Sequence, residues 1–125
     1  MSDLIKQYTD IIYMQSRLLT DCSQVYMNLG QRKAIENVNA YTQELIKFLN
    51  NHEQTHPHLT EESMRHELIN LLTPIVGYVD MLADEWIGSL NSEQFQHVDL
   101  IYQNVHSLQQ YVLSQRFKVE LSISA

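Results

Sequence analysis

Apolar residues recur in steps of three and four along most of this chain of 125 residues, which is the spacing of helices that bury one face. Residues 2–29 keep this period and are predicted to form one long helix that ends at Gly30. Two apolar stripes run along it: Leu4, Tyr8, Ile11, Leu18, Cys22, Val25 and Leu29 form the first, and Ile5, Ile12, Leu19 and Tyr26 form the second. So wide an apolar face requires more than one packing neighbour.

A second helix is predicted over residues 31–51, and the short connection makes the two helices an antiparallel hairpin. Two roles are open for this hairpin: a sensory or partner-docking module, or two structural helices of a bundle. Its residues are not chemically distinctive, which favours the structural role.

The helical period is strongest from about residue 61 to residue 86. Its apolar positions share one side of the helix: Met64, Leu68, Leu71, Leu72, Ile75, Tyr78, Val79, Leu82 and Trp86. His66 lies on another face, where the residues that follow it at helical spacing are polar or small: Asn70, Thr73, Gly77, Asp80 and Asp84. The sequence therefore predicts that the His66 side chain projects into solvent.

Local signals define the start and the shape of this helix. Thr60 is a suitable N-cap, and Glu61 and Glu62 place negative charge in the first turn. Pro74 lies inside the apolar period, where proline removes a backbone donor and clashes with the carbonyl four residues earlier. A kink is therefore predicted within a turn or two of His66.

Gly88 and Asn91 predict a turn, and a last helix follows from about residue 92. Its inward positions are predicted to be Phe95, Val98, Ile101, Tyr102, Val105, Leu108, Val112 and Leu113. His97 and His106 are predicted to be surface residues. Residues 117–123 alternate apolar and polar side chains, which favours either a frayed helix end or a short strand that needs a partner.

These elements divide the chain into an N-terminal hairpin (residues 1–51), a polar linker (52–60), a second hairpin (61–119) and a tail (120–125). The linker contains the motif His-Glu-x-x-His at His52 to His56, which on a helix places two imidazoles on one face for zinc. Pro57 disfavours helix at His56, and a third ligand is not supplied by the motif. A small metalloprotein is therefore a remote alternative, and a solvated linker is the expected structure.

Composition narrows the class of protein. Hydrophobic residues at 44% and charged residues at 18% are typical of a globular chain. A net charge of −7, with basic residues scattered singly, argues against nucleic acid as a partner. The chain has no apolar run of the roughly 20 residues that a membrane helix requires, and no secretory signal pattern. We therefore expect a soluble, cytoplasmic chain without membrane contact, in which the single cysteine, Cys22, is a small core residue.

Two segments resemble a known family. RHELINLLTPIVGYVDML, at residues 65–82, resembles the phosphoacceptor helix of sensor histidine kinases, whose usual form is His-Glu-Leu-Arg-Thr-Pro-Leu. IGSLNSEQFQHVDLIYQNVHSLQQYV, at residues 87–112, resembles the turn and second helix of that family's dimerisation and histidine phosphotransfer hairpin. The resemblance covers about residues 60–119. It departs from the usual form at Ile69, Asn70 and Leu71, which replace Arg, Thr and Pro.

The resemblance implies roles for three residues. His66 corresponds to the phosphoacceptor, Glu67 to the acidic residue that polarises it, and Asn70 to the residue that positions water for dephosphorylating a partner. Independently of the family, a neutral imidazole is a competent nucleophile toward phosphorus, and residues four apart on a helix share a face. The expected partner is the receiver domain of a response regulator, which brings its own Mg²⁺; no cofactor of the chain's own is expected. Ile69, Val76 and Ala83 either form an apolar docking strip for that domain or pack against the N-terminal hairpin.

After the last helix there are too few residues for the ATP-binding domain of the resembling kinases, and no Gly-rich phosphate loop is present. We therefore expect no autokinase activity. The predicted fold is all-α: two hairpins forming a four-helix bundle, either in a homodimer, as the resemblance favours, or within one chain, as the wide apolar face of the first helix favours.

The leading interpretation is a two-component signalling module, either a histidine phosphotransfer protein or a response-regulator phosphatase. The alternative is a non-catalytic dimerisation or docking protein that binds a kinase or a response regulator. The substitutions at Ile69 and Leu71 favour this alternative somewhat.

Overall fold

The computed structural model describes residues 3–22, 27–55 and 61–124, and the side chains of residues 4–21, 27–51 and 62–114. The described residues form four helices: α1 (Asp3–Cys22), α2 (Leu29–Thr55), α3 (Glu61–Ala83) and α4 (Ser92–Ser124). No strand occurs within these three ranges. The all-α prediction is therefore confirmed.

The four helices close a bundle within a single chain. α1 packs against α2 and α4, and α3 packs against α2 and α4, so that each helix has two main neighbours. The apolar side chains that the helices bury form one continuous core: Ile5, Ile12, Leu19, Met27, Ala34, Ile35, Val38, Leu45, Leu49, Leu68, Leu72, Ile75, Val79, Leu82, Val98, Ile101, Val105, Leu108 and Val112. Of the two arrangements left open by the sequence, the structure has the intramolecular one. The N-terminal hairpin supplies two structural helices of the bundle.

The core side of α1 differs from the broader stripe in the sequence. Ile5, Ile12 and Leu19 are fully buried, whereas Leu4 and Leu18 are exposed. Thr9 and Ser16 are also buried, and together with Ile5, Ile12 and Leu19 they form a continuous buried stripe in steps of three and four. A pattern of apolar residues alone cannot include these two positions.

The boundary between α1 and α2 was predicted incorrectly. Met27 and Asn28 lie outside the helices, α2 begins at Leu29, and Gly30 lies in its first turn rather than after the end of α1. The cause is a reciprocal cap: the Asn28 amide donates to Gln31 Oε1 at 2.9 Å, and the Gln31 amide donates to Asn28 Oδ1 at 2.8 Å. This cap satisfies free amides at the start of α2. Residues 23–26 and the side chain of Cys22 lie outside what the structure describes.

The predicted polar linker is partly helical, because α2 continues through Thr55. Residues 56–60, which include the second histidine of the His-Glu-x-x-His motif, lie outside the described residues, as do the side chains of residues 52–55. The zinc alternative therefore also falls outside them.

The last two helices differ from the prediction at their ends. α3 stops at Ala83, and Trp86 is 77% exposed in a turn that contains Glu85 at a positive φ of 57°. α4 continues through Ser124, so residues 117–123 are helical and the strand alternative for them was wrong. Extending an existing helix needs no new nucleus, whereas a lone strand needs a partner.

Pro74 lies inside α3, which is helical on both sides of it. The carbonyl that loses its donor belongs to Asn70, an exposed residue, so water can satisfy it. The kink stays a prediction. No helix in the described ranges combines the length and the apolar character that crossing a bilayer demands.

Candidate functional site

His66 lies in the second turn of α3, with its side chain exposed. Its neighbours Met64 and Leu68 are buried in the bundle and fix this turn of the helix. The backbone at His66 is thus held by core packing while the imidazole remains open to solvent. An exposed nucleophile on a rigid element is the geometry that a transfer between two proteins requires.

Asn70 follows His66 by about one helical turn, and its side chain is also exposed. Glu67 is exposed but points away from His66 by about 100°, as adjacent residues on a helix do. Within the described part of the chain, none of these three side chains makes a hydrogen bond or an ion pair. The structure therefore places His66 and Asn70 on one face, and it does not bring Glu67 into contact with His66.

The open face continues beyond Asn70. Thr73 is exposed and its hydroxyl donates to the Ile69 carbonyl at 2.7 Å, so it turns back onto the helix. A Cβ added to Gly77 would meet nothing within 4 Å. Small and retracted side chains therefore leave room over more than two turns for the approach of another molecule.

Arg65, directly before His66, is a buried cation that the apolar pattern did not reveal. Its Nη2 lies 3.6 Å from Glu62 Oε1, and its side chain is 9% exposed whereas that of Glu62 is 70% exposed. An ion pair with so exposed a partner contributes little stability on its own. Arg65 thus places a largely buried positive charge at the residue next to His66.

Two histidines predicted to be surface residues are instead half-buried. His106 Nε2 lies 2.9 Å from Asp80 Oδ1 and connects α4 to α3. His97 Nδ1 lies 2.7 Å from Gln15 Oε1 and connects α4 to α1. Helical spacing places these two residues at the edges of the buried stripe of α4. The prediction divided positions only into inward and outward, so it had no class for such edge positions. His66 differs from both because it is not engaged by a neighbouring helix.

Ile69, Val76 and Ala83 are partly buried and pack against the core. They lie on the side of α3 that carries Asp80, which faces α4 through the contact with His106. The strip therefore lies on the side of α3 that faces α4.

Three residues predicted to face inward on α4 are exposed instead: Phe95, Tyr102 and Leu113. They share the side of His106 at helical spacing. Together with Ile69 and Val76 they form what we call the α3–α4 surface. It is an apolar surface beside the open face of His66.

Among the described residues, no group of three or more His, Cys, Asp or Glu side chains is arranged to hold a metal ion.

A histidine open to solvent on the first helix of a helical hairpin, within a four-helix bundle, fits the class of helical histidine phosphoacceptor modules. Comparison with protein families makes the assignment specific: residues 62–113 match the model of the His Kinase A (phospho-acceptor) domain. The α3–α4 hairpin therefore matches this family, which confirms the resemblance, and the match supports a role in two-component signalling. Comparison with curated proteins and with solved structures gives no match.

Proposed function

We propose that the protein exchanges phosphoryl groups with the receiver domain of a response regulator through His66. The observation that carries this proposal is the exposure of His66 on a turn of α3 that core residues hold in place, within the segment that matches the phospho-acceptor family. Glu67 and Asn70 are the proposed supporting residues.

The proposed step is an in-line displacement at phosphorus. A ring nitrogen of neutral His66 donates its lone pair to the phosphorus of an aspartyl phosphate on the receiver domain. The N–P bond forms while the P–O bond to the aspartate breaks, and the carboxylate leaves with that electron pair. The other ring nitrogen keeps its proton during the transfer and releases it afterwards to solvent. The reverse reaction returns the phosphoryl group.

Asn70 supports the phosphatase reaction. Its amide lies one turn from His66 on the same exposed face, where it can hold a water molecule in line with the partner's phosphorus. Water then attacks phosphorus, the aspartate leaves, and inorganic phosphate is released.

Glu67 has an exposed carboxylate with no fixed partner among the described residues. A change of rotamer brings it toward the imidazole when a receiver domain excludes water. The Mg²⁺ that such transfers use is expected on the receiver domain.

The α3–α4 surface is the proposed docking area. Exposed apolar side chains such as Tyr102 and Leu113 form a patch that water solvates poorly, and they lie on the side of the hairpin adjoining the His66 face. A receiver domain that covers this surface brings its aspartyl phosphate to His66.

The test is transfer from a receiver domain that has been phosphorylated with labelled acetyl phosphate. The wild type should acquire label and His66→Gln should acquire none, because glutamine is not a nucleophile toward phosphorus. His97→Gln is the control, since this half-buried histidine lies outside the proposed site and the variant should label like the wild type. Equal labelling of wild type and His66→Gln would remove the phosphotransfer proposal.

The phosphatase reaction has a separate test. Asn70→Ala should slow the loss of phosphate from the receiver domain by about tenfold or more, within the range expected for losing one positioned catalytic contact. Unchanged decay would exclude Asn70 from this role.

A second candidate is a docking protein without phosphotransfer. The observation that favours it is that Ile69 and Leu71 replace the usual Arg and Pro and are partly buried against the core, which makes them packing residues. Saturable binding of a receiver domain without label on either wild type or His66→Gln would identify this function.

A further inference from the structure

The buried positions of α1 recur in α3 with the same spacing. Ile5, Ile12 and Leu19 correspond to Leu68, Ile75 and Leu82, and each pair is separated by 63 positions. All six side chains are at most 1% exposed. Apart from Gln15, every buried residue of α1 has a buried counterpart 63 positions later in α3.

The same separation relates α2 to α4. Gln31, Val38 and Leu45 correspond to Gln94, Ile101 and Leu108, and all of these side chains are buried. A buried glutamine at equivalent places in two helices is unusual, because glutamine is mostly exposed in proteins.

Both glutamines make the same hydrogen bonds at the start of a helix, which accounts for their burial. Gln31 forms the reciprocal cap with Asn28, at 2.9 and 2.8 Å. Gln94 forms an identical cap with Asn91: the Asn91 amide donates to Gln94 Oε1 at 2.9 Å, and the Gln94 amide donates to Asn91 Oδ1 at 2.8 Å. Asn28 and Asn91 are again 63 positions apart. Each cap starts the second helix of its hairpin.

The packing of the helices follows the same relation. A shift of 63 positions converts α1 into α3 and α2 into α4, and it converts the contact of α1 with α4 into the contact of α3 with α2. The bundle is therefore arranged as two copies of one hairpin. The α1–α2 hairpin stands where a second phosphoacceptor hairpin would stand in a symmetric dimer.

The reactive set occurs in only one of the two hairpins. The positions equivalent to His66, Glu67 and Asn70 hold Asp3, Leu4 and Gln7.

Most apolar residues of the α3–α4 surface are not repeated in the α1–α2 hairpin: the position equivalent to Tyr102 holds Asn39, whereas the position equivalent to Val76 holds the aromatic Tyr13. The positions equivalent to Ile69, Phe95 and Leu113 hold Lys6, Arg32 and Asn50. The surface of α1 and α2 that corresponds to the α3–α4 surface is therefore polar and charged at these positions.

We propose that the α1–α2 hairpin is a second phosphoacceptor-type hairpin without the reactive histidine, and that it takes the place of a partner subunit. One chain is then a complete bundle with one phosphoacceptor and one docking surface. The binding of a single receiver domain per chain rests on the proposed function. The replacement of a subunit rests on the fold alone.

The first experiment measures the molar mass of the full chain by light scattering over a hundredfold range of concentration. The expected mass is 14.7 kDa throughout, and the midpoint of urea unfolding should not change with concentration. A mass of about twice this value with a concentration-dependent midpoint would overturn the inference, because folding of a dimer depends on protein concentration. This result does not depend on phosphotransfer.

The second experiment tests the equivalence of the two hairpins. In a His66→Gln background, the substitutions Asp3→His, Leu4→Glu and Gln7→Asn transfer the reactive set to α1. Incubation with the phosphorylated receiver domain should restore label, whereas the same three substitutions in the wild-type background should give up to two phosphoryl groups per chain. A folded variant that stays unlabelled in the His66→Gln background, beside a wild type that labels, would contradict the equivalence. A wild type that does not label would count against the proposed function instead.

Discussion

The two hairpins of this bundle share one backbone arrangement but differ in the side chains that they bury at equivalent positions. At three equivalent layers, the α1–α2 hairpin buries Thr9, Ser16 and Thr42, and the α3–α4 hairpin buries aliphatic residues: Leu72, Val79 and Val105. Polar groups in a core stabilise less than aliphatic ones and restrict which partners fit, because each needs a hydrogen bond. The polar layers of the α1–α2 hairpin thus make it specific for its packing partner. The α3–α4 hairpin supplies the more apolar layers and carries His66.

The polar layers of the α1–α2 hairpin are mostly satisfied internally. Thr9 donates to the Ile5 carbonyl at 2.8 Å. Ser16 donates to Asn39 Oδ1, and the Asn39 amide group donates to Thr20 Oγ1 at 2.9 Å. Thr42 is the exception, since its buried hydroxyl has no partner among the described residues.

The largest expected effect comes from truncating equivalent layers. Leu72→Ala should lower the free energy of unfolding by about 2–5 kcal/mol, because it leaves a cavity where a buried leucine was. Thr9→Ala should lower it by only about 1–2 kcal/mol, since it removes one methyl group and one local hydrogen bond. Urea unfolding of both variants measures the contrast. Equal losses would show that the two hairpins do not differ in this way.

The polar contact between α1 and α2 gives the next effect. Asn39→Ala should destabilise the protein by about 1–2 kcal/mol, because the hydrogen bond from the Ser16 hydroxyl across the hairpin is lost, while that hydroxyl keeps the Tyr13 carbonyl at 3.0 Å as an acceptor. The equivalent position in α4 is Tyr102, an exposed residue, and Tyr102→Ala should have a smaller effect on unfolding. A larger loss at Tyr102 would contradict this assignment of the polar contact.

These polar residues also explain why the buried side of α3 could be predicted from the sequence and that of α1 only in part. α3 could be predicted with its buried side and with His66 outside it, because aliphatic residues occupy its buried layers. α1 could not be predicted as well, because Thr9 and Ser16 do not register as core residues and the competing stripe of Leu4 and Leu18 is more apolar. The repeat is hidden for the same reason, since it preserves burial and caps more than residue identity.

The cap at Asn28 and Gln31 shows a second limit. Apolar residues continue on both sides of this turn, so periodicity gives no boundary, and only the hydrogen bonds between residues 28 and 31 define the start of α2.

The candidate site was predicted in part. His66 and Asn70 share an exposed face as expected, whereas the buried Arg65 could not be found from spacing because a cation at a core-facing position contradicts the pattern.

A substitution at Thr42 can make the buried layers of the two hairpins more alike. Thr42→Val introduces the residue type of the equivalent Val105 and removes an unsatisfied buried hydroxyl, so it should stabilise the protein by about 1 kcal/mol. The reverse change, Val105→Thr, should destabilise it by about 1–2 kcal/mol. Thermal unfolding of the pair provides the measurement. Destabilisation by Thr42→Val would mean that the hydroxyl is satisfied in solution.

The smallest expected effect concerns docking. Leu113→Asn places on the α3–α4 surface the residue that the other hairpin has at Asn50, and it should weaken receiver binding by about two- to fivefold through the loss of an exposed apolar contact. Asn50→Ala is the matched control and should leave affinity unchanged. Calorimetric titration with a receiver domain compares the two. Equal weakening by both variants would place the docking area elsewhere.

The proposed function places the phosphoryl group on one imidazole of the α3–α4 hairpin. Fragmentation mass spectrometry of the chain after incubation with a phosphorylated receiver domain locates that group directly. We expect a single phosphoryl group on His66, stable in base and lost in mild acid as an N–P bond is. A phosphoryl group on any other residue, or a chain that stays unmodified under transfer conditions, would exclude His66 as the phosphoacceptor.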